Sequence, residues 1–237
     1  MLKICLDAGH YDKYNRSPAN KKYYESEAMF KLTELLKAEL LTYKDCEVIT
    51  TRANQKKDLA LYDRGQKSKG CDLFISNHSN AVGSGVNNNV DYVVVYRSYL
   101  NKNNADELGL RLAKAIAKTM GTTQTPRTNI RKSEKADREY YGVLRGADAA
   151  GCPLFYIIEN SFHTNSKSTE WLLKDNNLKK LAETQSKTIA DYFNLKKEPK
   201  IIYRVQVGAF SVEANAEKLS QELKKKGYNN FIVKAEL

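Results

Sequence analysis

Short, almost wholly apolar runs alternate along this chain with longer segments whose apolar residues recur every three or four positions, and few folds satisfy that alternation. Residues 2–7, 47–51, 72–77, 91–96 and 154–158 read as strands, rich in Ile, Val, Leu, Phe and Tyr. Between them, 25–43, 58–69, 104–120 and 171–193 read as helices. Met29, Leu32, Leu36 and Leu40 fall on one helical face, and Leu108, Leu112, Ala115 and Ile116 on another. Residues 72–77 are apolar nearly throughout, the pattern of a strand covered on both sides. Alternation of this kind predicts an α/β fold: an open, mainly parallel sheet flanked by helices. Residues 122–138 are polar, basic and turn-rich, and are expected to be a surface excursion.

The pattern breaks at 196–201, Lys-Lys-Glu-Pro-Lys-Ile, which reads as a linker between a domain at 1–195 and a small unit at 202–237. In the latter, 203–207 and 231–233 read as strands around a helix at 213–226 closed by Gly227, a βαβ (α+β) unit. About 35 residues lie below the size at which a core is stable alone. The unit is expected to pack on the first domain or on a second copy, making a homodimer through the tail possible.

Two of the three histidines stand where predicted strands run out: His10 closes the run 3–9 and His78 follows 72–77. In open α/β sheets ligands collect outside the carboxyl ends of strands, so the two imidazoles could share one metal ion. Glu25 or Glu27, in the first turn of the first long helix, could complete a His2Glu set, the arrangement of catalytic rather than structural zinc. Glu159 ends the strongest strand, 154–158, and is placed to serve as general base. Each residue alone has a plainer reading. A histidine after a strand is usually a loop residue, first-turn acids favour the helix dipole, and Glu159 could pair with one of many basic residues. His163, the third histidine, reads as a helix-entry residue or one that backs the site.

The net charge of +11 predicts an anionic partner, but the basic residues are interleaved with acids, which argues against a nucleic-acid-binding arm. Four cysteines are scattered without CxxC spacing and read as buried thiols. No run of 18 apolar residues exists, so no membrane span is expected. No signal-peptide pattern precedes the first strand, so the chain is expected to be made and kept inside a cell, or to leave it by lysis or a dedicated pore.

The blocks Asp7-Ala8-Gly9-His10, Ser76-Asn77-His78-Ser79-Asn80 and Ile158-Glu159-Asn160-Ser161-Phe162-His163-Thr164-Asn165 resemble the signatures of the zinc-dependent N-acetylmuramoyl-L-alanine amidases of the amidase-3 family, over residues 2–193. The resemblance implies that His10 and His78 bind Zn2+ and that Glu159 is catalytic. It implies Glu25 as the third ligand, because Phe30, Leu32 and Leu36 then fall where the family has apolar helix residues, with Glu27 the alternative. The chain departs from the family in having Tyr11-Asp12 where many members have two glycines. Tyr141-Gly142-Val143-Leu144-Arg145 resembles a segment lining the family's substrate groove, and is equally compatible with a plain strand bearing an exposed Arg. Residues 203–211, with Asn215, Ala216 and Leu219, resemble half of a SPOR repeat, which binds peptidoglycan glycan strands.

The expectation is a peptidoglycan amidase of the endolysin or autolysin type, cleaving between N-acetylmuramic acid and L-alanine. A zinc peptidase of the peptide stem, a non-catalytic wall-binding protein and a nucleic-acid binder are the rival readings. No recognition motif supports the last.

Overall fold

In the computed structural model, which describes residues 1–83, 85–100, 102–198 and 205–234, the chain divides into two units, 1–198 and 199–237. The first is built on a six-stranded sheet: β1 (Leu2–Ala8), β2 (Cys46–Thr50), β3 (Leu73–Asn80), β4 (Val94–Arg97), β5 (Arg127–Asn129) and β6 (Leu154–Phe162), in the order β2-β1-β3-β6-β4-β5. Every neighbouring pair is parallel except β4–β6. The sheet is thus mainly parallel, as the alternation requires.

Helices cover both faces. On one lie α1 (Glu25–Leu40), α3 (Ala105–Met120) and α6 (Asp175–Tyr192), whose apolar stripes bury Leu32, Leu36, Leu108, Leu112, Leu181 and Ile189 completely, together with Ile4, Leu6, Leu73 and Ile75 from the strands. Burial of each Leu or Ile side chain stabilises by roughly 1.5–3 kcal/mol. On the other face, α2 (Leu61–Gln66) and α4 (Gly142–Ala149) cover Cys5, Phe74, Phe155 and Ile157. These two helices touch backbone to backbone at Gly65 and Gly146: a Cβ on Gly146 would lie 2.0 Å from the Tyr62 carbonyl oxygen. Two residues, Leu173 and Lys174, separate α5 (Ser166–Leu172) from α6, and Lys174 is extended.

Three local readings are corrected. Residues 141–145 are not a strand: α4 begins at Gly142, and its glycines serve the crossing with α2. The polar excursion contains β5, three residues paired with β4. β4 itself starts at Val94, because the buried Asp91 carboxylate is taken by the Ser161 and Ser168 hydroxyls and the Thr123 amide.

In the second unit the described residues form one helix, α7 (Glu213–Lys225). Residues 203 and 204 of the first expected strand lie outside the described residues. Residues 205–207 and 231–233 are not in strands, which need a ladder partner. The chain after α7 folds back through Asn230, whose amide donates to the Ser220 carbonyl at 3.1 Å. Val205, Val207, Phe231 and Val233 are exposed.

Candidate active site

Strand alternation assembles the site. Cys5, Phe74 and Ile157 face α2 and α4, so the residues two and four positions on, Asp7, Ser76, His78 and Glu159, share that face at the carboxyl edge. Register aligns them: Asp7 is opposite Ser76, and His78 is opposite Glu159. Beyond this point β6 bulges, with Phe162 opposite Asn80 and Ser161 held at φ +60°. Such bulges end strand pairing and re-aim side chains beside sites.

Gly9 lets His78 into this corner. A Cβ on Gly9 would sit 2.4 Å from His78 Cε1, so the ring occupies the space that any side chain there would fill. His10 then turns out of the strand at φ +59°. Its ring stacks on Tyr14 at 5.4 Å and meets the edge of His78 at 5.1 Å. The backbone that carries it is held by Arg64, buried to 2% exposure, which donates to the carbonyls of Ala8 (3.0 Å) and His10 (3.3 Å). Arg52 donates to the Ala8 carbonyl as well, at 2.6 Å.

Glu25 opens α1 and is buried to 1% exposure. One carboxylate oxygen lies 2.9 Å from His78 Nδ1 and accepts the Ser79 amide. The other accepts the Asn15 side-chain amide at 2.8 Å and lies 3.4 Å from His10 Nε2. The ligand atoms of His10, Glu25 and His78 all fall within 4.8 Å of one another. Glu27, half-buried two positions along the same helix, is not in this group. His163 sits just past β6, 5% exposed, its Nδ1 donating to the Ser79 carbonyl at 2.8 Å and 3.8 Å from Glu25. Burial lowers its pKa, disfavouring the charged ring. It backs Glu25 from outside the three-residue group.

Electrostatics divide the two glutamates. Burial alone would raise Glu25, but the hydrogen bonds and charges of His10 and His78 outweigh it and hold the carboxyl well below the usual range. Burial disfavours the His78 cation, yet Glu25, aided by Glu159 and Asp7, pushes that imidazole up to about 9. Glu159 is shifted the other way, to about 7, by burial, with His78 pulling it down and Glu25 adding to the rise. Its Oε2 is buried with no hydrogen-bond partner. Paired carboxylates pushed apart in this manner mark an acid–base role for the raised one.

Asp7, Ser76, Asn15 and Arg64 were not singled out from sequence. Asp7 lies within the first motif block, and its period-two relation to Gly9 was a usable signal. Nothing in the sequence marks Asn15 or Arg64.

An α/β domain with two histidines and a buried glutamate converging at the sheet's carboxyl edge, next to an unpartnered glutamate, has the makings of a metal-assisted hydrolase. Residues 4–191 match the family model described as N-acetylmuramoyl-L-alanine amidase, and the chain belongs to that family. It is a peptidoglycan amidase acting on the bond between N-acetylmuramic acid and L-alanine. Residues 199–236 match the SPOR domain. The N-acetylmuramoyl-L-alanine amidase CwlM of Bacillus licheniformis is 24% identical, with 98% of this chain and 85% of that protein aligned. The fold is shared with an amidase from Clostridium difficile 630 (TM-score 0.69, 19% identity, 81% of this chain and 97% of that one). It is shared also with the catalytic domain of CwlV from Bacillus (Paenibacillus) polymyxa var. colistinus (TM-score 0.67, 20% identity, 83% and 100%). No helix among the described residues is long and apolar enough to cross a membrane.

Proposed function

We propose that the amidase works with one zinc ion held by His10, Glu25 and His78, and that Glu159 is its general base. The observation that carries this reading is the convergence of two imidazole nitrogens on a fully buried carboxylate, with the unpartnered Glu159 oxygen in the adjacent strand. The donor set, two nitrogens and one oxygen, is that of catalytic zinc. Zinc in such a site acts as a Lewis acid and acidifies water.

The chain's own residues supply the rest. Glu159, raised to about 7 by burial, accepts a proton from the attacking water and returns it to the departing L-alanine nitrogen. The C–N bond breaks, leaving a lactyl carboxylate on the sugar and a free amino terminus on the stem. Asn15 and the Ser79 amide hold Glu25 in place. The SPOR match supports a tail that holds the enzyme on glycan strands, and the +11 charge suits an anionic wall. Pairing of two copies through the tail is carried by its exposed Val205, Val207, Phe231 and Val233; a monomeric mass in light scattering at every concentration would exclude it.

The test is digestion of purified peptidoglycan with and without chelator, followed by identification of the new amino terminus. L-alanine termini that vanish with chelator are expected. Termini within the stem would make the enzyme a peptidase instead. Glu159→Ala should lose turnover by about 10²–10⁴-fold with zinc still bound, and near-normal turnover would remove Glu159 from the role of base.

A further inference from the structure

Behind His78 a chain of hydrogen bonds runs away from the metal-binding group, along the sheet face and into the core. The Ser76 hydroxyl donates to Asp7 Oδ2 at 2.7 Å, and its oxygen lies 3.1 Å from His78 Nε2. Asp7 is 1% exposed and Ser76 fully buried. The other Asp7 oxygen accepts the Thr51 hydroxyl at 2.5 Å and lies 3.6 Å from the Arg64 guanidinium.

Proton counting fixes the direction of this chain. A serine hydroxyl has one proton, and that of Ser76 is committed to Asp7, so its oxygen can only accept from the imidazole. His78 Nε2 must therefore carry hydrogen. The remaining nitrogen, Nδ1, is the one that faces Glu25 at 2.9 Å. With Nε2 protonated, a neutral ring turns the Nδ1 lone pair towards the Glu25 carboxylate, and a cation taken up there would bridge the two acceptors.

We propose that Asp7 and Ser76 are positioning residues that lock the His78 tautomer, so that the imidazole offers Nδ1, and not Nε2, to the metal. The proposal rests on the zinc reading for its functional meaning, though the tautomer itself does not depend on it. Residues that orient metal-binding histidines in this way are commonly worth 10–100-fold in metal affinity. The relay also gives Asp7 a purpose, since a buried carboxylate needs partners to justify its place in the core. Arg64 and Thr51 both address Oδ1, which leaves Oδ2 to Ser76 alone. An asparagine at position 7 would accordingly keep its oxygen towards Arg64 and Thr51 and turn its NH2 group on Ser76. The serine would then donate to Nε2, and the tautomer would invert.

The chain has only three histidines, so long-range proton–nitrogen correlation spectra can assign each ring. Two states of the wild-type chain are compared: metal-free at a pH alkaline enough to neutralise the imidazoles, and loaded with zinc. The expected result is an Nε2–H tautomer for His78 in the first and zinc on Nδ1 in the second. Ser76→Ala and Asp7→Asn should each weaken zinc binding by about 10–100-fold in chelator competition, while Ser76→Thr, which keeps the hydroxyl, restores it. Melting of the metal-free variants separates loss of tautomer control from loss of fold. An Nδ1–H tautomer in the metal-free wild type overturns the proposal whether or not the variants fold, as does unchanged zinc affinity in both variants. Failure of the wild type to take up zinc would instead strike the metal reading, with the metal-free spectrum still deciding the relay.

Discussion

One methyl group at position 9 should be enough to disable this enzyme. The Cβ of Gly9→Ala would lie 2.4, 2.5 and 2.8 Å from Cε1, Nδ1 and Nε2 of His78, where carbon contacts are ordinarily about 3.5–4.0 Å. Roughly 1 Å of movement has to be found. The backbone cannot supply it readily, because the Gly9 amide is bonded to the Asn77 carbonyl at 2.9 Å and ties it to β3. The ring is held as well, by Glu25 at 2.9 Å and Ser76 at 3.1 Å. Overpacking of this kind costs about 1–3 kcal/mol, and a displacement near 1 Å at a reacting centre costs about 100-fold in rate. The expected phenotype is a folded protein, melting somewhat lower, with weakened zinc binding in chelator competition and turnover on purified walls reduced about 100-fold. If Gly9→Ala binds zinc as tightly and digests walls as fast as the unsubstituted chain, the packing of His78 over Gly9 is not what places that ring.

Glu25→Gln should abolish stoichiometric zinc binding and Glu27→Gln should leave it intact, as read by metal content per chain. In the metal-free protein the raised His78 contributes stability that is complete below its unfolded value near 6.5 and is lost as pH rises through about 9. Glu25, held low, contributes above its unfolded value and loses this as pH falls. Melting temperature of the metal-free chain should therefore decline between about pH 6.5 and 9, and Glu25→Gln should flatten the decline; an identical slope in that variant would refute the pairing. Arg64→Ala leaves Asp7 buried beside a lost cation and should cost about 3–5 kcal/mol in denaturant unfolding.

How much of this was legible in the chain differs by element. The strands and long helices follow from period, and the motif blocks mark His10, His78 and Glu159, although β3 and β6 run on past the expected ends at 77 and 158 to Asn80 and Phe162. Glu25 and Glu27 could not be told apart, because both sit in one helical turn and only the helix's rotation against β3 buries one of them. The Asp7–Ser76 pair was hidden for a related reason: period two gives faces within a strand, while the register that sets Asp7 opposite Ser76 belongs to the sheet. α4 was obscured by Gly142 and Gly146, poor helix formers whose purpose is contact with α2 and not local propensity. Nothing set Arg64 apart among 39 lysines and arginines.

The Arg64 clamp has a further consequence for how this protein can change. Its guanidinium also donates to the Asp58 carboxylate (2.8 Å) and the Leu59 carbonyl (2.9 Å), so the exit of β1 is moored to the segment before α2. His10 is thereby fixed from behind, upstream of the loop that leads to Glu25. In that loop Tyr14 stacks on the imidazole and Asn15 bonds Glu25, but the exposed Asp12, Lys13, Pro18, Lys21 and Lys22 can vary in composition without touching either. For an engineer, those exposed positions are the ones free to vary: the outside of a loop whose pin is set elsewhere.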